Sequence, residues 1–441
     1  MNSMYKDKAL LVILLLALII RLVSIGPIHA GGYTSDEREY LYLAKSVSAG
    51  HGFVDSNGEK SKRSPLYPIA LGYLFKFFGE SLWLPHAIGC LLGTLIVALG
   101  YIFSMKIWDD RQIALFAAGA MAVYPGLVIH SGLLQTETLY IVFMLVAFIS
   151  VFKGTQSNNT ASCVLLGITS GLGALTRAVF LEFFPFLVSL AVWMRWNNGI
   201  RKLFPVALGI ALFSLVLMPW TVRNYNIHGT FVPVSSWSGE SLLIGNNPFA
   251  TGTWSVKQGF DVWFKGEAAK FGVADVGTLS EVERHDLDRN IALDYIKTHP
   301  LHSILLALKK GFIFLIFPIT NSDSYLPAQA AAVASDFLLY IGAAIGVVAT
   351  WKSRRRLVPL YAAFLFFGLV QVVLHAEARY RLPLVPLICL FFGWGTAILI
   401  DRARRLDFFA NRKQKIAAGV LISSIVLVYC FTGWLFLEGK I

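Results

Sequence analysis

The sequence predicts an all-α polytopic membrane protein, and three observations carry that expectation. Hydrophobic residues make up 56% of the 441-residue chain, and mean hydropathy is +0.63. Apolar runs of about 20 residues recur along it, the length a helix needs to cross a hydrocarbon core. The runs are continuous and do not alternate as barrel strands do, so helices are the expected spanning element.

The first run, "ALLVILLLALIIRLVSIG", lacks a convincing small-residue cleavage site and reads as a retained helix. Spans are expected at 9–29, 82–105, 112–130, 138–153, 162–176, 178–194, 202–220, 328–350, 357–375, 381–400 and 415–436. Between them lie short basic segments, "MKIWDDR", "RWNNGIRK", "WKSRRRL" and "DRARRLDFFANRKQK", cytoplasmic by the positive-inside rule. The opposite, external side receives a first loop at 30–81, "SGLLQTE" at 131–137, a large loop at 221–300 and "HAEARYRLP" at 375–383. The N terminus is then inside and the C terminus outside. The run at 299–318 would reverse "KSRRR" if it spanned, so it is placed at the interface with Lys309 and Lys310 snorkelling. Loop 221–300 carries strand-like and helix-like pieces and is expected to form a small external subdomain within a single integral-membrane domain, 1–441.

The net charge of +12 does not imply nucleic acid. Lys and Arg cluster between apolar runs, where orientation and anionic membrane lipids account for them. Cys90, Cys163, Cys389 and Cys430 all lie in apolar segments without metal-like spacing and read as small core hydrophobes, with no disulfide. Arg21, late in the first run, can snorkel or pair within the bundle. His299 and His302 are too isolated for a metal site. "NNT" at 158–160 resembles a glycosylation acceptor but falls on the predicted cytoplasmic side.

The chemistry concentrates in the external loops. In "GGYTSDEREYLYLAKSVSAGHGF" (31–53), Thr34 with Glu37 and Asp36 with Glu39 both fit a capping box. A helix over 37–49 would bury Tyr40, Leu43, Ala44 and Val47 on one face and hold Asp36 at a fixed depth along the membrane surface. In "KSKRSPLYPIALGYLFKFFG" (60–79), Lys60, Lys62 and Arg63 precede Pro65, Tyr67 and Pro68. This is either a basic surface loop before an interfacial helix or a phosphate site in which Arg63 presents its planar donor fork.

These residues resemble a family. "DEREY" followed by "KRSPLYP" looks like the polyprenyl-phosphate-sugar-dependent membrane glycosyltransferases of the GT-C fold, which include the dolichyl-phosphate-mannose protein mannosyltransferases and the aminoarabinose transferase of lipid A (glycosyltransferase family 39-like). "QTETLY" (135–140), "GLGALTRAVF" (171–180), "MPWTVRNYNIHGTFVPVSS" (218–236), "GNNPFATGTW" (245–254) and "EARYRLPLVPL" (377–387) continue the likeness in the same order. The resemblance implies a GT-C-like bundle of about eleven spans with external interfacial helices. It also implies inverting transfer of a monosaccharide from a polyprenyl monophosphate to a hydroxyl on a lipid, glycan or protein. The setting implied is a multi-pass protein of the cytoplasmic (inner) membrane whose site faces the periplasm or cell exterior. By the same resemblance Asp36, first acid of the loop pair, is the expected catalytic base and Arg63 falls in the region of the carrier phosphate; Glu37 and Glu137 complete the expected catalytic set.

The residue chemistry is consistent with those roles. A positioned carboxylate makes a hydroxyl a better nucleophile by taking its proton, and inversion needs that base opposite the leaving group. A lipid phosphate departs without a proton donor when cations meet its charge. Glu137, at the outer end of a span, could orient the acceptor, bind sugar hydroxyls or serve as an ordinary helix-start acid. Asp36 and Glu137 leave room for a divalent metal but are too few ligands to name one. Arg177 and Arg223 emerge from spans at the same level and suit either lipid headgroups or the phosphate. Asn246 sits in a Gly/Pro turn that could be an ordinary loop or a sugar contact. Arg379 and Arg381 flank Tyr380 where positive-inside statistics disfavour arginine, so they suit the donor phosphate or headgroup anchoring, with nothing to choose between the two. Tyr40 and Tyr67 complete the expected substrate-binding set. The rival reading, a transporter or flippase of lipid-linked sugars, would also place charges along a pathway. A glycan ligase or polymerase with a pyrophosphate-linked donor is the third.

Overall fold

The computed structural model describes residues 7–156, 160–195, 204–316, 326–401, 404, 408 and 411–437. Helix α1 (Lys8–Ile28) leads into two short helices, α2 (Ser35–Ser48) and α3 (Leu66–Phe78). The bundle continues with α4 (Trp83–Trp108), α5 (Arg111–Val123), α6 (Pro125–Gly132), α7 (Glu137–Gln156), α8 (Thr160–Thr176), α9 (Phe180–Arg195) and α10 (Phe204–His228). Three helices of the large loop follow: α11 (Ser238–Gly245), α12 (Phe260–Lys270) and α13 (Glu281–Thr298). Then come α14 (Pro300–Ile316), α15 (Leu326–Ala349), α16 (Arg354–Val373), α17 (Val385–Ile400) and α18 (Arg412–Leu437).

All eleven expected apolar runs are therefore helical. Among the described residues six helical segments are individually long and apolar enough to cross a membrane: Lys8–Ile28, Trp83–Trp108, Phe204–His228, Ala331–Ala349, Ala378–Ile400 and Arg412–Cys430. The run expected as one span at 112–130 is instead α5 and α6, bent by 53°. Its cause is local: Pro125 forces Tyr124 out of helical geometry, to φ −62° and ψ 119°. The break frees carbonyls at the end of α5, and the fully buried Arg21 donates to Met121 (3.2 Å) and Ala122 (3.0 Å). Arg21 thus pairs within the bundle and does not snorkel. The other four runs are shorter apolar helices within α7, α8, α9 and α16.

Packed aromatic side chains, among them Phe103, Phe148, Phe183, Phe367 and Phe391, join α4, α7, α9, α16 and α17 in one core. Along α1, by contrast, Leu15, Ile19 and Val23 are exposed, as a lipid-facing helix requires. Cys90, Cys163 and Cys389 are buried, whereas Cys430, expected in the core, is exposed on α18.

Lys309 on α14 is exposed as an interfacial residue should be. Lys310 corrects the snorkelling expectation. It is fully buried and donates to Asn246 Oδ1 (3.1 Å) and to the carbonyls of Val373 (3.2 Å) and Leu374 (2.8 Å). Those carbonyls end α16, where the helix leaves acceptors unpaired and the dipole favours a cation.

Polar contacts sort the loops onto two ends of the bundle. At one end Asp7 pairs with Arg111 (2.7 Å) and Asp110 with Arg404 (2.5 Å). At the other, Leu134 N donates to Glu37 (2.9 Å), Ser236 N to the Ser61 carbonyl (3.0 Å) and Ala376 N to the Gly252 carbonyl (2.9 Å). The four segments expected on one side of the membrane therefore do share one end. There α11, α12 and α13 enclose a small apolar core of Leu243, Phe264, Leu287 and Ile291. Among the described residues the expected strand-like pieces reduce to one isolated bridge, Ala250–Val256. Much of "RWNNGIRK" and of "NNT" lies outside the described residues.

Candidate active site

Of the two possible capping boxes, the chain uses Thr34 and Glu37. Thr34 Oγ1 accepts from Glu37 N (3.3 Å), and Glu37 Oε2 accepts from Thr34 N (2.9 Å). This starts α2 at Ser35 and leaves Asp36 and Glu39 unoccupied by capping. Glu37 Oε1 also accepts from Leu134 N and contacts His29 Nε2, both at 2.9 Å. Glu37, expected beside Asp36 as a catalytic acid, is therefore fully buried and ties the end of α1 to α2 and to the segment before α7.

Helical spacing puts Asp36, Glu39 and Tyr40 on neighbouring positions of one face. Leu43 and Ala44 of α2 are buried, and Ala44 packs with Leu71 and Phe75 of α3. Gly72 lets the helices approach closely: a Cβ there would lie 2.8 Å from both the Ala44 carbonyl and Val47 Cβ. Val47 is accordingly half-buried, on the face expected from the sequence. The depth of Asp36 is set by this packing.

Around Asp36 the charges alternate. Arg63 donates from Nε to Glu39 Oε1 (2.8 Å), and from Nη2 to Glu39 Oε2 (2.5 Å) and Asp36 Oδ1 (3.0 Å). Arg379 Nη1 donates to Asp36 Oδ2 and lies 4.0 Å from Glu137 Oε1. Arg177 Nη1 donates to that same Glu137 oxygen at 2.6 Å. The order Glu39, Arg63, Asp36, Arg379, Glu137, Arg177 thus runs unbroken across α2, the 63–65 loop, the 3₁₀ segment Ala378–Leu384, α7 and the turn after α8. Arg379 Nε is buried without a hydrogen-bond acceptor, so the cluster holds an unsatisfied cationic donor beside Asp36. Burial by itself would raise the Asp36 pKa, but the Arg379 and Arg63 guanidiniums overcome it and hold the carboxyl down to about 2.

Aromatic rings line the same cluster. Arg63 lies over Trp237 (4.1 Å) and Tyr40 (5.5 Å), and Tyr67 meets Tyr40 edge-on at 5.6 Å. Arg177 and Arg379 both lie over Tyr380, at 5.1 and 5.6 Å, and the Tyr380 hydroxyl bonds His375 Nε2 at 3.1 Å. Asp36, Tyr40, Arg63, Tyr67, Glu137, Arg177, Arg379 and Tyr380 are therefore brought together.

Besides Glu37, three expected residues are placed elsewhere. Arg381, left equivalent to Arg379 by the sequence, turns into the bundle and pairs with Asp336 (2.7 Å) and the Phe314 carbonyl (2.7 Å). Arg223 donates to the carbonyls of Lys60 (2.7 Å) and Phe53 (3.1 Å), bracing the loop that leads to Arg63. Asn246 donates to the Leu242 and Val373 carbonyls and accepts from Lys310, which makes it a joint of the scaffold. Among the described residues no group of three or more His, Cys, Asp or Glu gathers as a metal site, and both Asp36 and Glu137 already face arginines.

Glu39, Trp237 and Trp254 were missed by the sequence reading as members of the site. Glu39 carried a signal, since it follows Asp36 by three positions and must share its helix face. Trp237 carried none, because the fold of the large loop brings it in, whereas Trp254 closes the "GNNPFATGTW" stretch that shares in the family likeness.

The chain is similar to known proteins along parts of its length. The sequence profile of the family described as Dolichyl-phosphate-mannose-protein mannosyltransferase matches residues 61–229. That segment holds Arg63, Glu137 and Arg177; Asp36 and Arg379 lie outside it. An undecaprenyl phosphate-alpha-4-amino-4-deoxy-L-arabinose arabinosyl transferase of Pseudomonas aeruginosa UCBPP-PA14 is 26% identical over 202 residues, 44% of this chain and 36% of that one. A second transferase of that name, from Pseudomonas fluorescens Pf0-1, is 23% identical over 241 residues, 52% of this chain and 42% of the other. The chain thus covers well under half the length of these relatives. The crystal structure of the Archaeoglobus fulgidus oligosaccharyltransferase aligns with 97% of this chain and 54% of its own, at 14% identity and a TM-score of 0.53. With the helical architecture, these likenesses show that the chain has the GT-C fold of membrane glycosyltransferases.

Proposed function

We propose that the chain transfers a monosaccharide from a polyprenyl monophosphate to a hydroxyl acceptor, with inversion, at the external face of the cytoplasmic membrane. The observation that carries this is Asp36 held between Arg63 and Arg379, a carboxylate base in contact with cations that suit a lipid phosphate. The names of the relatives, which specify an undecaprenyl-phosphate-linked sugar, support the donor class. The clustering of the acidic and arginine-bearing loops at one end of the bundle, opposite Arg111 and Arg404, supports an external site by the positive-inside rule.

The chemistry balances without a further reagent. The acceptor oxygen attacks the anomeric carbon while its proton passes to Asp36. The bond from that carbon to the phosphate oxygen breaks, and its electron pair leaves on the lipid phosphate, whose charge Arg63, Arg379 and Arg177 meet. In the resting site the same arginines hold Asp36, which makes it a weak base. An arriving phosphate competes for those donors, beginning with the unsatisfied Arg379 Nε, and relaxes the hold on the carboxylate. Asp36 then becomes basic when the donor is in place, which limits ionisation chemistry in its absence.

The test is transfer itself. The full chain in lipid nanodiscs, given an undecaprenyl-phosphate-linked sugar and a candidate acceptor, should release undecaprenyl phosphate in proportion to sugar transferred. Movement of the lipid across a vesicle bilayer without such release would replace the enzyme with a transporter. Preference for a pyrophosphate-linked donor would point to a ligase or polymerase.

A further inference from the structure

An exposed tryptophan beside a charged cluster needs a reason. Trp254 keeps 36% of its surface exposed, yet the structure fixes it firmly. Its backbone N–H donates to Glu377 Oε1 (3.3 Å), and the neighbouring Gly252 carbonyl accepts from Ala376 N (2.9 Å). Its ring stacks on Trp237 with centroids 5.2 Å apart and planes 24° apart, and meets the edge of His375 at 5.0 Å. Trp237 in turn carries the Arg63 guanidinium at 4.1 Å, while His375 reaches Tyr380, the ring under Arg379. A run of rings, Trp237, Trp254, His375 and Tyr380, therefore joins Arg63 to Arg379, with the tryptophan pair at the Arg63 end.

Resting on the glycosyltransfer reading above, we propose that Trp254, backed by Trp237, is the stacking platform for the sugar ring of the lipid-linked donor. A sugar ring presents polarised C–H groups on one face, which suit the electron-rich face of an indole. A tryptophan pair is rigid, so little conformational freedom is lost on stacking. The ring attached to a phosphate held by Arg63 and Arg379 must lie within a few ångströms of that phosphate, and Trp254, stacked on the ring that carries Arg63 and edge-on to the His375 that bonds Tyr380, lies between the arginines' aromatic supports. Polar groups for the ring's hydroxyls stand alongside. Thr251, Thr253 and Ser255 form a triangle of hydroxyls 2.9 to 3.0 Å apart. Glu377, 28% exposed at its side chain, adds a carboxylate. These hydroxyls also bond the main chain of their own turn, Thr251 Oγ1 donating to the Ser255 carbonyl at 2.6 Å, and their mutual bonds are the ones that can be exchanged for a sugar's at little net loss. Stacking supplies affinity for a ring in general, and the hydroxyl triangle supplies the choice among rings.

The experiment compares two probes on the full chain in nanodiscs: undecaprenyl phosphate, and undecaprenyl phosphate bearing 4-amino-4-deoxy-L-arabinose. Trp254→Ala should weaken the sugar-bearing carrier by about three- to tenfold and leave the bare carrier unchanged, with Trp254→Tyr restoring most of the difference. Equal weakening of both probes would assign Trp254 to the fold or to lipid headgroups and overturn the proposal, as would no change in either. If the unaltered chain binds neither carrier, the donor class itself fails, and the platform fails with it for a separate and visible reason.

Discussion

Replacing Asp36 by asparagine tests the exchange of partners at the centre of the site, because two measured quantities should move in opposite directions. The introduced amide is isosteric with the carboxylate but cannot take the acceptor's proton, and loss of a positioned base costs about 10²- to 10⁴-fold in rate. Affinity for the carrier phosphate should rise. The arginines hold the Asp36 carboxyl at about 2 against an ordinary 3.8. That difference of 3.8 − 2 corresponds to about 2 kcal/mol of net attraction, with desolvation already included. A phosphate that takes donors from Asp36 works against that attraction, so abolishing it gains up to about 2 kcal/mol, or about 30-fold in affinity. The assay pairs single-turnover sugar transfer with equilibrium binding of undecaprenyl phosphate to the same nanodisc preparation. A variant that folds and binds but transfers at a rate within threefold of the parent would remove Asp36 as the base. A variant that loses transfer while binding the phosphate more weakly would refute the competition.

Four further outcomes follow from the geometry. On pH, Asp36 has a folded pKa below its unfolded value, so its stabilisation is present above about pH 4 and lost as pH falls toward 2; thermal unfolding should show that loss in the parent and a flatter profile in Asp36→Asn. Because phosphate relaxes the arginines' hold, the acid limb of kcat should lie at higher pH than that of kcat/KM, which reports the free enzyme. Gly72→Val should destabilise by about 1–3 kcal/mol through overpacking of α2 on α3 and lower transfer by displacing Asp36, measured by thermal unfolding and steady-state rates. Asp336→Asn and Arg381→Met should each destabilise by about 3–5 kcal/mol, while the double variant should lose less than their sum; simple additivity would refute the pairing of these buried groups.

The bundle was legible because its signal is periodic and one-dimensional: each apolar run reports its own environment. Asp36 and Arg63, which the fold brings into contact, drew notice in the sequence for a related reason, since both sit in short stretches with a helix start or a paired proline beside them. Glu37 is placed apart from the arginine cluster, because adjacency in sequence is not adjacency on a helix face. Successive helical positions are rotated by about 100°, and that turn aims Glu37 at His29 and Leu134 while Asp36 meets the arginines. Arg379 and Arg381 could not be told apart from the sequence. Their difference depends on Asp336 in α15 and on Asp36 in α2, which lie far away along the chain. Trp237 reaches the site through the tertiary path of the large loop, for which no local pattern exists, and the "GNNPFATGTW" stretch does not by itself tell where Trp254 lands.

The partners of the buried cations suggest a physical rule that sequence alone lacks. Arg21 and Lys310 are directed largely at main-chain carbonyls, at the end of α5 and the end of α16. Arg381 divides its donors between the Phe314 carbonyl and Asp336, and all three side chains are sealed. Arg63, Arg177 and Arg379 instead meet carboxylates and keep 18%, 23% and 27% of their side chains exposed. A carbonyl at a helix end cannot leave its cation without undoing the helix, so such a cation is fixed in the scaffold. A carboxylate on a side chain can yield its place to a phosphate of similar charge and hydrogen-bonding geometry. The first set should therefore tolerate substitution poorly in folding and be silent in phosphate binding. The second should show the reverse, and a sealed cation whose loss weakened phosphate binding without destabilising the fold would break the rule.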